Sequence, residues 1–126
     1  MSRCICLLFL LMCALSAAQA QGSRERSAAS YVERGNGWLN KGELERAIDD
    51  YSLAIVFDGG HAGAYHNRGL GRLRKDDLDG ALQDFDRSLE LNPRLAMALL
   101  GRGLARCGKG EIAAGLADFN RAAVVA

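Results

Sequence analysis

The stretch Gly103-Leu-Ala-Arg-Cys-Gly-Lys-Gly110 comes nearest in this chain to a catalytic signature. Its G-x-x-x-x-G-K spacing is that of a phosphate-binding loop, in which backbone N–H groups cradle phosphate oxygens and the lysine neutralises them. That loop then needs Ser or Thr for the metal ion, and it must follow a strand and open a helix. Gly110 stands where the hydroxyl belongs, so no nucleotide and no cofactor are expected. His61 and His66 are five residues apart, off a common helical face, and no third histidine exists; a surface or groove role fits them better than metal ligation. The carboxylates of "IDDY" and "DDLD" follow the pattern of solvated helix faces and are not paired across a cleft as acid and base would need to be. No catalytic residue emerges, and the chain is expected not to be an enzyme. Cys107 keeps two readings, a small buried apolar residue or, in an oxidising compartment, one half of an intermolecular disulfide.

The first twenty of the 126 residues read as a leader. Arg3 is followed by an apolar run from Ile5 to Leu15 and by small residues ending in Ala18-Gln19-Ala20, the layout of a secretory signal peptide cleaved after Ala20. The run is short for a membrane anchor, so no membrane span is expected after processing. Leu11 and Met12 before Cys13 stand where a lipoprotein signal would have small residues. Cleavage removes Cys4, Cys6 and Cys13, leaving Cys107 without an intramolecular partner, so the mature chain must stabilise itself by apolar burial rather than disulfides. It also removes Arg3, leaving fifteen basic against fifteen acidic residues. Such a balance lacks the basic surplus of a nucleic-acid binder. The leader and the preference for arginine over lysine point to a secreted protein, most closely one of a bacterial periplasm.

What would position any functional residue is a repeat. Shifting the chain by 34 residues lays Tyr31, Arg34, Gly35, Ala47, Tyr51 and Ala54 on Tyr65, Arg68, Gly69, Ala81, Phe85 and Ser88, and then on Leu99, Arg102, Gly103, Gly115, Phe119 and Ala122. The units run over 28–61, 62–95 and 96–126, after a linker over 21–27. Each reads as two amphipathic helices, the second halves being "ELERAIDDYSLAIVF", "DLDGALQDFDRSLEL" and "EIAAGLADFNRAAVV". Breaks fall at "NKGE", "RKDD" and "GKGE" within units, and at "DGGH" and "NPRL" between them.

The aromatic-x-x-Arg-Gly, the Ala-x-x-x-aromatic-x-x-Ala and Pro93 resemble the tetratricopeptide repeat. The resemblance implies an all-α, right-handed solenoid of three helix-turn-helix units and six helices following the signal peptide. It also explains Gly69, which costs its helix roughly 1 kcal/mol relative to alanine: the missing side chain lets the second helix cross closely, with Ala81 and Phe85 filling the crossing. Gly35 and Gly103 should do the same; Gly71 has no such role in the pattern. The sixteen-residue offset from Arg34, Arg68 and Arg102 to Asp50, Asp84 and Asp118 predicts an Arg–Asp pair within each unit. Arg72 and Arg106 replace the large apolar residue seen as Trp38 in the first unit, which predicts looser packing there and arginine stems lying over apolar surface.

A concave groove lined by the first helices is what the family implies for function, a surface for a protein or peptide partner. The family's groove positions fall on Val32, Glu33, Asn36, Leu39 and Asn40, on His66, Asn67, Leu70, Leu73 and Arg74, and on Leu100, Leu104 and Cys107. Some members clamp a terminal carboxylate with asparagines and cations. Asn36 and Asn67 match the asparagines, whereas Val32, Met97 and Gly101 stand where the cations would be. A second reading comes from the end of the chain. Terminal repeats normally need a polar cap, yet the last helix offers Leu116, Val124 and Val125, an apolar face suited to a homo-oligomer or another partner.

Overall fold

The computed structural model describes residues 2–24 and 27–126; the side chains of residue 2 and of 17–24 lie outside that description, and with them the expected processing site after Ala20. The chain is all-helical among the described residues. Its helices are α1 (Ser2–Arg24), α2 (Ala28–Asn40), α3 (Leu44–Phe57), α4 (Ala62–Arg74), α5 (Leu78–Leu91), α6 (Ala96–Gly108) and α7 (Ile112–Val125). The six expected helices are α2 to α7, and the leader segment is itself a seventh. No proline interrupts it, and it runs on through Arg24, over ground read from sequence as linker. No helix among the described residues is long and apolar enough to cross a membrane.

Helix ends follow from local chemistry. Side-chain acceptors receive the free N–H groups of the first turn at α2, α4 and α5: Ser27 from Ser30, His61 Nδ1 from Ala64 at 3.0 Å, and Asp77 from Gly80 at 3.0 Å. His61 is therefore a helix cap. At the turn inside each unit the same register takes a left-handed residue, Gly42 at φ 76°, Asp76 at φ 64° and Gly110 at φ 83°. Glycine adopts that conformation freely, and aspartate at some cost. The phosphate-loop look of Gly108–Gly110 is thus the turn between α6 and α7.

The helices of each unit pack as antiparallel pairs, α2 on α3, α4 on α5 and α6 on α7, and successive pairs stack through α3 on α4 and α5 on α6. Close crossing depends on glycine, as expected. A Cβ at Gly35 would lie 2.7 Å from Tyr51 Cε1, at Gly69 3.0 Å from Phe85 Cε1, and at Gly103 2.5 Å from Phe119 Cε1. Two apolar clusters result: Leu39, Ala47 and Tyr51, joined by Val32, Trp38, Leu44 and Leu70, and a larger one built from Ala81, Phe85, Leu89, Ala98, Leu99, Ala105 and Ala122. Every member comes from residues 32–125, so α2 to α7 carry a complete core of their own.

The three Arg–Asp pairs form. Arg34 meets Asp50 at 2.7 Å, Arg68 meets Asp84 at 2.8 Å, and Arg102 meets Asp118 at 2.8 Å, each through both arms of the guanidinium fork. The carboxylates are buried, Asp84 and Asp118 keeping only 3% of their side-chain exposure. Arg72 and Arg106 do not lie loosely over apolar surface. Each turns back onto the same aspartate, Arg72 to Asp84 at 2.9 Å and Arg106 to Asp118 at 2.8 Å, because a buried carboxylate has acceptor capacity left after one arginine. In the first unit that position is Trp38, whose ring lies under Arg46 at 4.7 Å and Lys41 at 5.3 Å, and Asp50 keeps one arginine.

Candidate functional site

The first helices of successive units approach one another directly, α2 with α4 and α4 with α6, while α3, α5 and α7 make no comparable approach. The stack therefore bends with α2, α4 and α6 on its inner face. The 34-residue register sets their side chains in rows across the three helices: Val32, His66 and Leu100; Asn36, Leu70 and Leu104; Asn40, Arg74 and Gly108.

Polar chemistry gathers on α2 and α4. Asn36 Oδ1 accepts from the Tyr51 hydroxyl at 2.7 Å and from Asn67 Nδ2 at 3.1 Å, so a buried tyrosine and two helices meet at one amide. Burial, with Asp50 close by, pushes the Tyr51 hydroxyl up to about 12, and it stays a donor. Arg74 Nη1 reaches the Leu39 carbonyl at 3.3 Å, tying α4 to the end of α2. His66 is half-buried, its ring 5.8 Å from that of Phe85, and its Nδ1 is buried without a hydrogen-bond partner. Burial holds its pKa below the usual histidine value, which keeps the ring neutral.

Apolar surface gathers on α6. Met97 is 60% exposed, Leu104 55% and Leu100 37%, three apolar side chains spaced along one face of the helix. Leu39 is not groove surface: at 8% exposure it belongs to the core, since its register points toward Ala47 and Tyr51. Leu70 and Leu73 are split between the two roles, each packing against a core cluster while keeping partial exposure. Cys107 is half-buried; a Cβ at Gly115 would lie 2.5 Å from its Sγ and 2.9 Å from the Gly103 carbonyl oxygen, which is why glycine replaces the usual alanine there. Among the described residues no group of His, Cys, Asp or Glu is placed to hold a metal ion.

At the end of the stack only part of the expected apolar face faces outward along the axis. Leu116 does, at 53% exposure. Val125 packs against the larger core cluster instead. Val124 is 83% exposed but sits at the register of Val56, which stays 79% exposed with a whole unit stacked beyond it, so that position does not take part in stacking.

Residues 62–95 match the family described as Tetratricopeptide repeat, the same span as the second unit. The second TPR of Spaghetti (RPAP3), bound to HSP90 peptide SRMEEVD, superposes with a TM-score of 0.78 and 30% identity over 86% of this chain and 99% of that one. The chain belongs to the tetratricopeptide repeat family. The second TPR domain of human RPAP3, in complex with HSP70 peptide SGPTIEEVD, is similar at 31% identity and TM-score 0.75, covering 78% of this chain and 82% of that one. The TPR domain of Arabidopsis OM64 is similar at 28% identity and TM-score 0.77, covering 78% and 81%. No curated protein sequence matches. As a TPR protein the chain is a protein-interaction module.

Proposed function

We propose that the inner face of α2, α4 and α6 binds an extended segment of a partner protein, without catalysis. The observation that carries the reading is the group of exposed Met97, Leu100 and Leu104 on α6, beside the Asn36–Asn67 amide pair and outside either core cluster. An apolar shelf next to free amide hydrogen-bonding capacity suits apolar side chains on one side and a peptide backbone on the other. The similar RPAP3 domains carry chaperone-derived peptides, which supports a peptide ligand. Val32, Met97 and Gly101 bring no positive charge to the positions where carboxylate-clamping members hold cations. The reading is therefore an internal, apolar-rich segment rather than an acidic chain terminus. The leader-like residues 1–20 support secretion and a periplasmic setting for that partner.

The test is a peptide display selection on residues 21–126, followed by mapping of amide chemical shifts. Recovered peptides rich in Leu, Met or Phe, with shifts concentrated on α2, α4 and α6 and lost in Met97→Glu and Leu104→Glu, support the groove. Shifts confined to α3, α5 and α7 refute it. These two side chains are better probes than Asn36, whose removal would strip Tyr51 of its acceptor and disturb the fold.

A further inference from the structure

The two junctions between units use one set of contacts repeated at 34 residues, and the two ends of the stack carry the unused halves of that set. At the first junction Ile48 of α3 lies over Gly71 of α4, whose Cβ would stand 3.1 Å from Ile48 Cγ1; this contact accounts for the glycine that the repeat pattern left unexplained. Beside it, Arg68 donates to Ser52 Oγ at 3.2 Å and Lys75 pairs with Glu45. At the second junction Leu82 of α5 packs into the cluster containing Ala105 of α6, Arg102 pairs with Asp86 at 3.0 Å, and Lys109 pairs with Asp79.

On α7 the same register gives Leu116 for Ile48 and Leu82, and Asn120 for Ser52 and Asp86. Ile112, which the sequence reading missed, stands for Leu44 and Leu78; it is 52% exposed, whereas those two are half-buried. On α2 the register gives Gly37 for Gly71 and Ala105, and Arg34 for Arg68 and Arg102. Gly37 is an open socket, with nothing within 4 Å of where its Cβ would stand. The Arg34 side chain is 58% exposed, against 18% and 13% for its counterparts, whose Nη1 reaches back to the preceding unit.

We infer that a second copy of this chain stacks head to tail, α7 of one copy on α2 of the next, with Leu116 seated over Gly37 and Arg34 donating to Asn120. The contact continues the internal junctions, and it does not depend on what the groove binds. It is heterologous, so a copy docked at one end leaves the other end free to take another. One pairing of the set is absent: Ala113 occupies the register of Glu45 and Asp79, facing Lys41. The junction between copies is accordingly weaker than those within the chain.

Sedimentation equilibrium of residues 21–126, which contain both core clusters, tests this. The wild-type mass is expected to rise with concentration, and Gly37→Gln and Leu116→Gln each to weaken association at least tenfold while leaving the melting temperature of dilute protein within a few degrees. Mixing the two variants decides the geometry. Each retains the half the other lacks, so the mixture should reach the mass of two chains and go no further. Ala113→Glu, facing Lys41, should tighten association. A wild-type protein monomeric up to millimolar concentration, a Gly37→Gln variant that still associates through paired α7 helices, or a mixture that stays monomeric would each overturn the inference.

Discussion

Phe85 is fully buried, and its ring lies between the backbone of Gly69 in its own unit and that of Gly101 in the next. Replacing Gly101 with alanine puts a Cβ 2.5 Å from both Cε1 and Cζ of the ring, about 1 Å inside ordinary carbon contact. The ring cannot withdraw toward α4, because a Cβ at Gly69 would already lie only 3.0 Å away. Alanine returns about 1 kcal/mol of helix propensity, whereas overpacking a full core costs about 1–3 kcal/mol. Gly37→Ala reads the first quantity at an open position, in the last turn of α2, whereas Gly101 lies mid-helix in α6. Urea unfolding of both variants, at protein concentrations low enough to keep the chains apart, should show Gly37→Ala stabilised by about 1 kcal/mol. Gly101→Ala should fall below it by the overpacking cost of about 1–3 kcal/mol. Because alanine gains at least as much propensity mid-helix as in a last turn, a deficit of Gly101→Ala relative to Gly37→Ala reads the clash. Equal stabilisation of the two variants, with unchanged m-values, would refute the idea that Phe85 is pinned between neighbouring units.

Asp84→Asn and Asp118→Asn should each destabilise by about 3 kcal/mol, because each leaves two arginines around a buried neutral amide, while Asp50→Asn, facing the largely exposed Arg34, should cost about 1 kcal/mol. Thermal melts that rank Asp50 equal to the other two would contradict this. His66 is held neutral by burial, so below about pH 6.5 the unfolded chain takes up a proton that the folded chain resists. Stability therefore declines as pH falls from about 6.5 toward the folded pKa and levels off beneath it. His66→Gln should flatten that segment of the profile relative to wild type, and superimposable profiles would show that His66 does not contribute it.

The repeat, the crossing glycines and the Arg–Asp pairs were legible in the sequence because each belongs to one unit, and a fixed offset along two packed helices is enough to bring them together. Contacts between units were harder to read. Gly71 has no partner in its own unit, and only the stacking of α3 on α4 shows that it makes room for Ile48. Arg72 and Arg106 looked like defects in an apolar position, because residue type says nothing of the spare acceptor capacity on Asp84 and Asp118. Asn36 read as a groove residue; that it also satisfies Tyr51 depends on a hydroxyl fifteen residues away reaching through the unit. Leu39 and Val125 were misplaced for a simpler reason. On an amphipathic helix one residue step turns the side chain by about 100°, and a family register carried across without coordinates has no finer resolution than that.

Arg68 and Arg102 each hold an acceptor in their own unit and one in the unit before. A unit that melts must therefore strip its neighbour of a charged anchor as well as exposing that neighbour's apolar side. Opening by pieces is discouraged at the middle of the chain and tolerated at its ends. Unit one has Trp38 in place of a second arginine, and among the described residues no further helix packs on the outer side of α7. Protection of backbone amides from exchange should accordingly peak in α4 and α5 and fade in both directions. The repeat whose residues match the family description is therefore the one expected to open last.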